Sequence, residues 1–210
     1  MTDRIAPGGR RDVGALVWAF SHIAGLRAGT RPPKIFLVLG RHRRLFAGWL
    51  HFAGRLMPGG LLPRRESELV IVRVAHLCDS AYELQHHTRL GQAAGLSAAD
   101  LERLATGPYA EGWAPRERAL LRATDLLYAE RDLDDDAWAE LSEHLDERER
   151  IELCMLVGHY TMLATVLRTL RIEPDPPRRR RGSAGGPSPA RAVWRARRPR
   201  RGPAPRPPVS

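Results

Sequence analysis

The stretch ELVIVRVAHLCDSAYELQHHTRLGQAAG, residues 68–95, decides how this chain is read. Its first part carries Leu69, Val70, Ile71, Val72, Val74, Ala75 and Leu77. A segment that is apolar almost all round belongs inside a fold. The β-branched run Val70-Ile71-Val72 suits a strand as well as a helix, and the length of the segment and its helical neighbours favour the helix. Its second part, from Tyr82, reads as another helix that stops at Gly95, a residue suited to a C-terminal cap. Glu83 and His87 stand four residues apart there, a spacing that stacks two side chains on one helical face. A carboxylate that orients an imidazole is a common arrangement for proton transfer. The bland alternative is an i,i+4 pair on a solvated face, worth a few tenths of a kcal/mol.

The helical pattern continues outward in both directions. Val13, Leu16, Val17, Phe20 and Ala24 follow the spacing of an amphipathic helix. Pro32-Pro33 opens a second helix carrying Phe36, Leu37, Leu45, Phe46, Trp49 and Leu50, and Pro58-Gly59-Gly60 breaks it. Pro63 starts the helix quoted above. Ser97 and Asp100 have the spacing of a capping box. Pro115 opens a further helix, Asp134–Leu145 is short, and Arg148–Leu170 is long, with Leu153, Leu156, Val157, Tyr160, Ala164 and Leu167 on its stripe. The expected fold is all-α.

Composition bounds the rest. Of the 34 basic residues, eleven arginines lie beyond Pro176, where no acidic residue follows. Residues 1–175 therefore hold 23 basic and 24 acidic residues, a net of −1. The formal charge of +10 belongs to the end of the chain and does not mark the folded part as a nucleic-acid binder. Residues 174–210 are Pro, Arg, Gly, Ser and Ala with few large apolar side chains, which predicts a disordered tail. Its Arg178–Arg181 run suits nonspecific contact with nucleic acid or acidic lipid, or no role at all. Residues 1–173 form the expected domain.

Two cysteines, Cys78 and Cys154, are too few for a disulfide framework, and a reducing cytoplasm fits them. The run Val13 to Phe20 follows Arg10, Arg11 and Asp12 and is interrupted by His22, which does not suit a signal peptide. No stretch of the sequence reads as the roughly 20 apolar residues of a membrane span.

The order Glu68, eleven residues, Ser80, two residues, Glu83, three residues, His87 resembles the carboxymuconolactone decarboxylase family and its relative alkylhydroperoxidase D. The redox members carry Cys-x-x-Cys where Ser80 and Glu83 stand here. A second branch reads Tyr-Glu-Trp-x-x-His, which Tyr82-Glu83-Leu84-Gln85-His86-His87 resembles, with leucine for tryptophan. The likeness extends over about residues 34–173, with a family core at about 63–130, and includes Ile151 to Tyr160. It implies an alkylhydroperoxidase D-like helical bundle that assembles as a homo-oligomer, a trimer or a hexamer.

The resemblance implies a cofactor-independent enzyme acting on a small molecule, a decarboxylase-type lyase in which Glu83 orients His87 and Glu68 lines the site. Ser80, Tyr82, His86, Cys78 and His159 are further candidates for the pocket. A peroxiredoxin-type oxidoreductase using Cys78 or Cys154 is the alternative, and a binding or assembly module with a basic tail is the third. Peroxide reduction needs a thiolate and a resolving thiol. Cys78 is two residues from the expected position, about 200° around a helix. Glu83 with His87 offers two ligands where a catalytic zinc needs three, so no metal is expected.

Overall fold

A computed structural model of the chain describes residues 3–176. The Arg-rich segment and its expected disorder lie almost wholly outside that range. The described residues are helical, with no strand. In order they are α1 (Arg10–Val13), α2 (Ala15–Ala28), α3 (Lys34–Leu39), α4 (Arg43–Leu56), α5 (Arg64–Leu77), α6 (Ala81–Ala93), α7 (Ala98–Thr106), α8 (Pro115–Ala129), α9 (Asp135–Ser142) and α10 (Glu147–Leu170).

The apolar helix of the opening stretch is α5, and it is the hub. It packs against α6, α7, α8 and α10, and its residues Ser67 to Ala75 are all buried. Leu69, Val70, Ile71, Val72 and Val74 are at most 1% exposed. Each such side chain contributes about 1.5–3 kcal/mol through burial. On one side α5 joins a large apolar cluster with α3, α4, α8, α9 and α10. On another, Leu69 and Val72 meet Leu96, Leu104, Trp113 and Leu121.

Arg73 interrupts this apolar surface for a reason. Its Nε and Nη2 donate to both carboxylate oxygens of Asp125 on α8, each at 2.7 Å, and Nη1 donates to the Leu104 carbonyl at 2.9 Å. One guanidinium thus ties α5 to α8 and to the end of α7. Gly107, at φ 111°, leaves room for it: a Cβ there would lie 2.6 Å from Arg73 Nη2.

Helix starts follow the sequence signals. Ser97 and Asp100 form their capping box, and Asp146 with Glu149 forms another at the start of α10. The stripe expected on α10 is buried throughout. With 24 residues α10 is also the one described helix long and apolar enough to cross a membrane. Its Leu153, Leu156, Leu163 and Leu167 are instead part of the core shared with α5 and α8.

Three expectations need correction. The helix expected over residues 33–50 is two helices, because the chain turns at Gly40, Arg41 and His42. The stripe from Val13 to Ala24 does not face the core. Gly14, at φ 86°, separates Val13 from α2, so Val13 is buried while Leu16 is 88% exposed and Phe20 is exposed too. The folded part also runs past residue 173. Asp175 is buried, accepts from Tyr82 Oη at 2.6 Å and from the Lys34 N–H at 3.0 Å, and so joins α6 to the start of α3.

The Arg73 clamp makes a specific demand on stability. Arg73→Met leaves Asp125 without its partner, and Asp125 is only partly exposed. The expected loss is near the lower end of the roughly 3–5 kcal/mol typical of a broken buried ion pair, measured by urea denaturation at pH 7.

Candidate active site between α5 and α6

A three-residue link brings the site together. Cys78 caps α5, Asp79 adopts a left-handed conformation at φ 53°, and Ser80 starts α6 in extended backbone. The Ser80 N–H donates to the Ala75 carbonyl, which closes the turn. α6 then runs back along α5, and residues well separated in sequence come level. Glu68 and His87 meet in this way: His87 Nδ1 and Glu68 Oε2 are 2.8 Å apart, and both residues are buried.

This corrects the expected pairing. The carboxylate that holds the imidazole is Glu68, across the turn, and not Glu83, one turn earlier on the same helix. The Arg64 guanidinium stands 2.7 Å from the other oxygen of Glu68. Its N–H groups are poorly aimed, so Oε1 forms an ion pair without a hydrogen bond.

Glu83 is buried as well, at 2% exposure. Neither of its carboxylate oxygens has a hydrogen bond of proper geometry. Burial pushes its pKa up to about 7, and the nearby Ser80 hydroxyl offsets only part of that. An unpaired carboxyl poised near neutrality is the most chemically distinctive group in the protein.

Tyr160 on α10 links the parts. Its ring meets His87 edge-on at 5.0 Å and His159 edge-on at 5.1 Å. Burial raises its hydroxyl pKa, and the charges of Glu68 and Glu83 raise it further. His159 is 5% exposed, stacked on Trp49 and edged by Phe52, and its Nδ1 has no partner. Burial and the nearby His87 lower its pKa to about 4, so it is neutral at pH 7.

The other residues singled out from the sequence fall into place individually. Ser80 is buried beside Glu83. His86 is half-buried with its ring 5.5 Å from that of His87; burial, then His87, Arg89 and Arg64, lower its pKa to about 4. Tyr82 commits its hydroxyl to Asp175. Cys78 is half-buried, and burial followed by the charge of Glu83 pushes its thiol up to about 11. Burial raises the Cys154 thiol too. At neutral pH neither provides much thiolate. Among the described residues no three His, Cys, Asp or Glu side chains come together to hold a metal ion.

Sequence reasoning missed Arg64, Trp49 and Phe52. Glu68 reads in the sequence as a buried or pocket carboxylate near the start of an apolar helix, but the i,i+4 spacing of Arg64 and Glu68 does not by itself say that the two pair. Trp49 reads in the sequence only as one apolar residue of a helix, and Phe52 carries no signal there. Two cavities, of about 340 and 510 Å³, open on the surface of the described residues; Phe52 lines the first and Cys154 the second, and neither is lined by Glu68, Glu83 or His87.

Residues 43–126, which contain Glu68, Ser80, Glu83 and His87, match the carboxymuconolactone decarboxylase family. The match spans the α4 to α8 part of the chain and holds the whole Glu68–His87 region. Solved structures share the fold of this chain. A peroxidase-related protein with an alkylhydroperoxidase D core from Ralstonia eutropha superposes with a TM-score of 0.73 at 16% identity, covering 82% of this chain and 92% of that one. A debrominase, solved alone and as a cysteine-to-alanine variant with 2,3,4-tribromopyrrole, gives 0.68 at 14% identity over 81% and 91% of the two chains. A protein from Agrobacterium tumefaciens described as a putative antioxidant defence protein gives 0.59 at 19% identity over 63% and 91%. None of the curated proteins compared matches the chain.

Glu83 couples the site to stability. Its folded pKa, about 7, lies above the ordinary carboxylate value of 4.5. The unfolded chain therefore gives up this proton first as pH rises, and native stability falls from about pH 4.5 through about 7. Glu83→Gln, neutral at every pH, removes that contribution. The variant is expected to gain on the wild type by up to a few kcal/mol between pH 5 and pH 8, as read from denaturation midpoints at the two pH values.

Proposed function

We propose that this protein catalyses proton transfer at carbon on a small molecule, without a cofactor, as a decarboxylase-type member of its family. The observation that carries the reading is the buried 2.8 Å contact of Glu68 with His87, beside an unpaired Glu83 carboxyl near neutrality. With Nδ1–H donated to Glu68, the imidazole keeps one tautomer and Nε2 has a lone pair to accept a proton. Glu83, protonated in part at pH 7, is the complementary acid.

Two uses of this pair balance. In a decarboxylation, the carbon–carbon bond to the carboxylate breaks, carbon dioxide leaves, and the electron pair left on carbon takes the proton of Glu83. In an isomerisation, His87 Nε2 removes a proton from carbon beside a carbonyl and an acid returns it elsewhere. Both suit the absence of a free low-pKa thiol. Peroxide reduction would need a thiolate, and the raised pKa of both cysteines works against it.

We also propose that a second copy covers α2, whose Leu16, Ile23 and Leu26 are exposed, in the homo-oligomer typical of the family. Ile23→Glu is expected to lower the assembly mass seen by light scattering, and an unchanged mass removes α2 from the contact.

The catalytic reading is tested on a panel of β-keto acids and lactone carboxylates, following carbon dioxide release, and of ketones, following deuterium uptake from heavy water. His87→Ala is expected to lower kcat by about 100-fold or more, and Glu68→Gln to lower it less. Replacing both cysteines by serine is expected to leave the rate unchanged. Hydroperoxide consumption that disappears in the double serine variant, with full activity in His87→Ala, would overturn the assignment.

A further inference from the structure

Between α4 and α10 lies the smaller cavity, about 340 Å³, walled by Phe52, Leu56, Leu61, Ile151 and Met155. Most of its lining is apolar, and Arg148 and Glu152 are the charged residues that border it. The carboxylate of Glu152, which also borders it, is already taken by the backbone N–H groups of Leu61 and Leu62 at 2.6 and 3.0 Å. Along α10, Glu152, Met155 and His159 follow at spacings of three and four, so His159 continues the same stripe one turn further in. Phe52 stands at the boundary. Its ring borders the cleft and lies 5.4 Å from the His159 ring.

Behind Phe52 are two buried polar atoms with no partner, His159 Nδ1 and Trp49 Nε1. The two rings stack with centroids 6.1 Å apart and planes 16° from parallel. Leaving such an atom unpaired inside a protein costs about 1–3 kcal/mol. Two of them together, where phenylalanine would pack as well, point to a partner that arrives from outside. The indole N–H can only donate, and neutral His159 can donate from Nδ1. The matching group is an acceptor. Beyond His159, Tyr160 makes edge contact with His87, so this place adjoins the Glu68–His87 pair.

We propose that the cleft admits a small, largely apolar molecule bearing a carbonyl oxygen, that the Phe52 ring turns aside to let it pass, and that the carbonyl accepts hydrogen bonds from His159 and Trp49. This deepens the proton-transfer reading and rests on it for the chemistry, because a polarised carbonyl acidifies the adjacent carbon and stabilises the charge left by loss of a proton or of carbon dioxide. The binding step stands apart from that chemistry.

The test uses the full chain with methyl-labelled methionine and ¹⁵N-labelled tryptophan, titrated with acetophenone and with ethylbenzene, which has a similar shape but no oxygen. Acetophenone is expected to move the Met155 methyl and the Trp49 indole N–H resonances and to bind at least tenfold more tightly than ethylbenzene. His159→Phe and, separately, Trp49→Phe are each expected to shrink that preference, and His87→Ala to keep it. Two variants guard against one that fails to fold. Equal affinity for the two probes, a shift at Met162, which borders the second cavity, in place of Met155, or a preference unchanged in both ring variants overturns the proposal. Tight acetophenone binding without deuterium uptake or carbon dioxide release from the panel counts against the proton-transfer reading alone, and turnover without Met155 shifts counts against the cleft alone.

Discussion

A carboxylate with no solvent exposure at the centre of a helical bundle sets the terms for everything near it. Glu68 sits on the most buried helix of the protein, and an isolated charge there is costly unless it is met by donors or opposite charge. It is met twice, by the Arg64 guanidinium one turn back and by the His87 imidazole from α6. The first contact is poorly aimed and the second is well formed. The imidazole is therefore part of what makes burial of Glu68 tolerable, and Glu68 in turn fixes the imidazole. Structure and chemistry here are one arrangement seen from two sides.

Glu83 is a different case. It is also buried, yet no opposite charge meets it and the Ser80 hydroxyl beside it offsets only part of the cost, so it holds a proton up to about pH 7. Two carboxyl groups near Tyr160 thus have opposite solutions to the same problem: one paired, one neutral. The cysteines nearby follow the Glu83 pattern, with burial favouring the protonated form.

Much of this is legible in the sequence. The apolar run Leu69–Ala75 gave α5 and its burial. Gly95, Ser97 and Pro115 marked real helix boundaries, and the α10 stripe was read residue by residue. Glu68, Ser80, Glu83 and His87 read as one region in the sequence, and the structure brings Glu68 to His87 and Ser80 to Glu83. The partner of His87 was not legible, because i,i+4 spacing reports which side chains share a face but not what lies opposite that face. The α2 stripe failed for a related reason: a left-handed glycine at position 14 turned the helix so that Leu16 met solvent. Asp175 was hidden by composition, since a single acidic residue among prolines and arginines gives no sign that a tyrosine ninety-three positions earlier awaits it.

The link at Cys78, Asp79 and Ser80 carries a constraint on length. An α-helix turns by about 100° per residue, so one residue added or removed in this link would swing the α6 side chains round by that angle. His87 would leave Glu68, and Glu83 would exchange its buried place for another face. Surface loops elsewhere in such a bundle can grow or shrink at small entropic cost. This one behaves as a gauge block between two helices: its length sets the Glu68–His87 contact, although none of its three residues takes part in that contact.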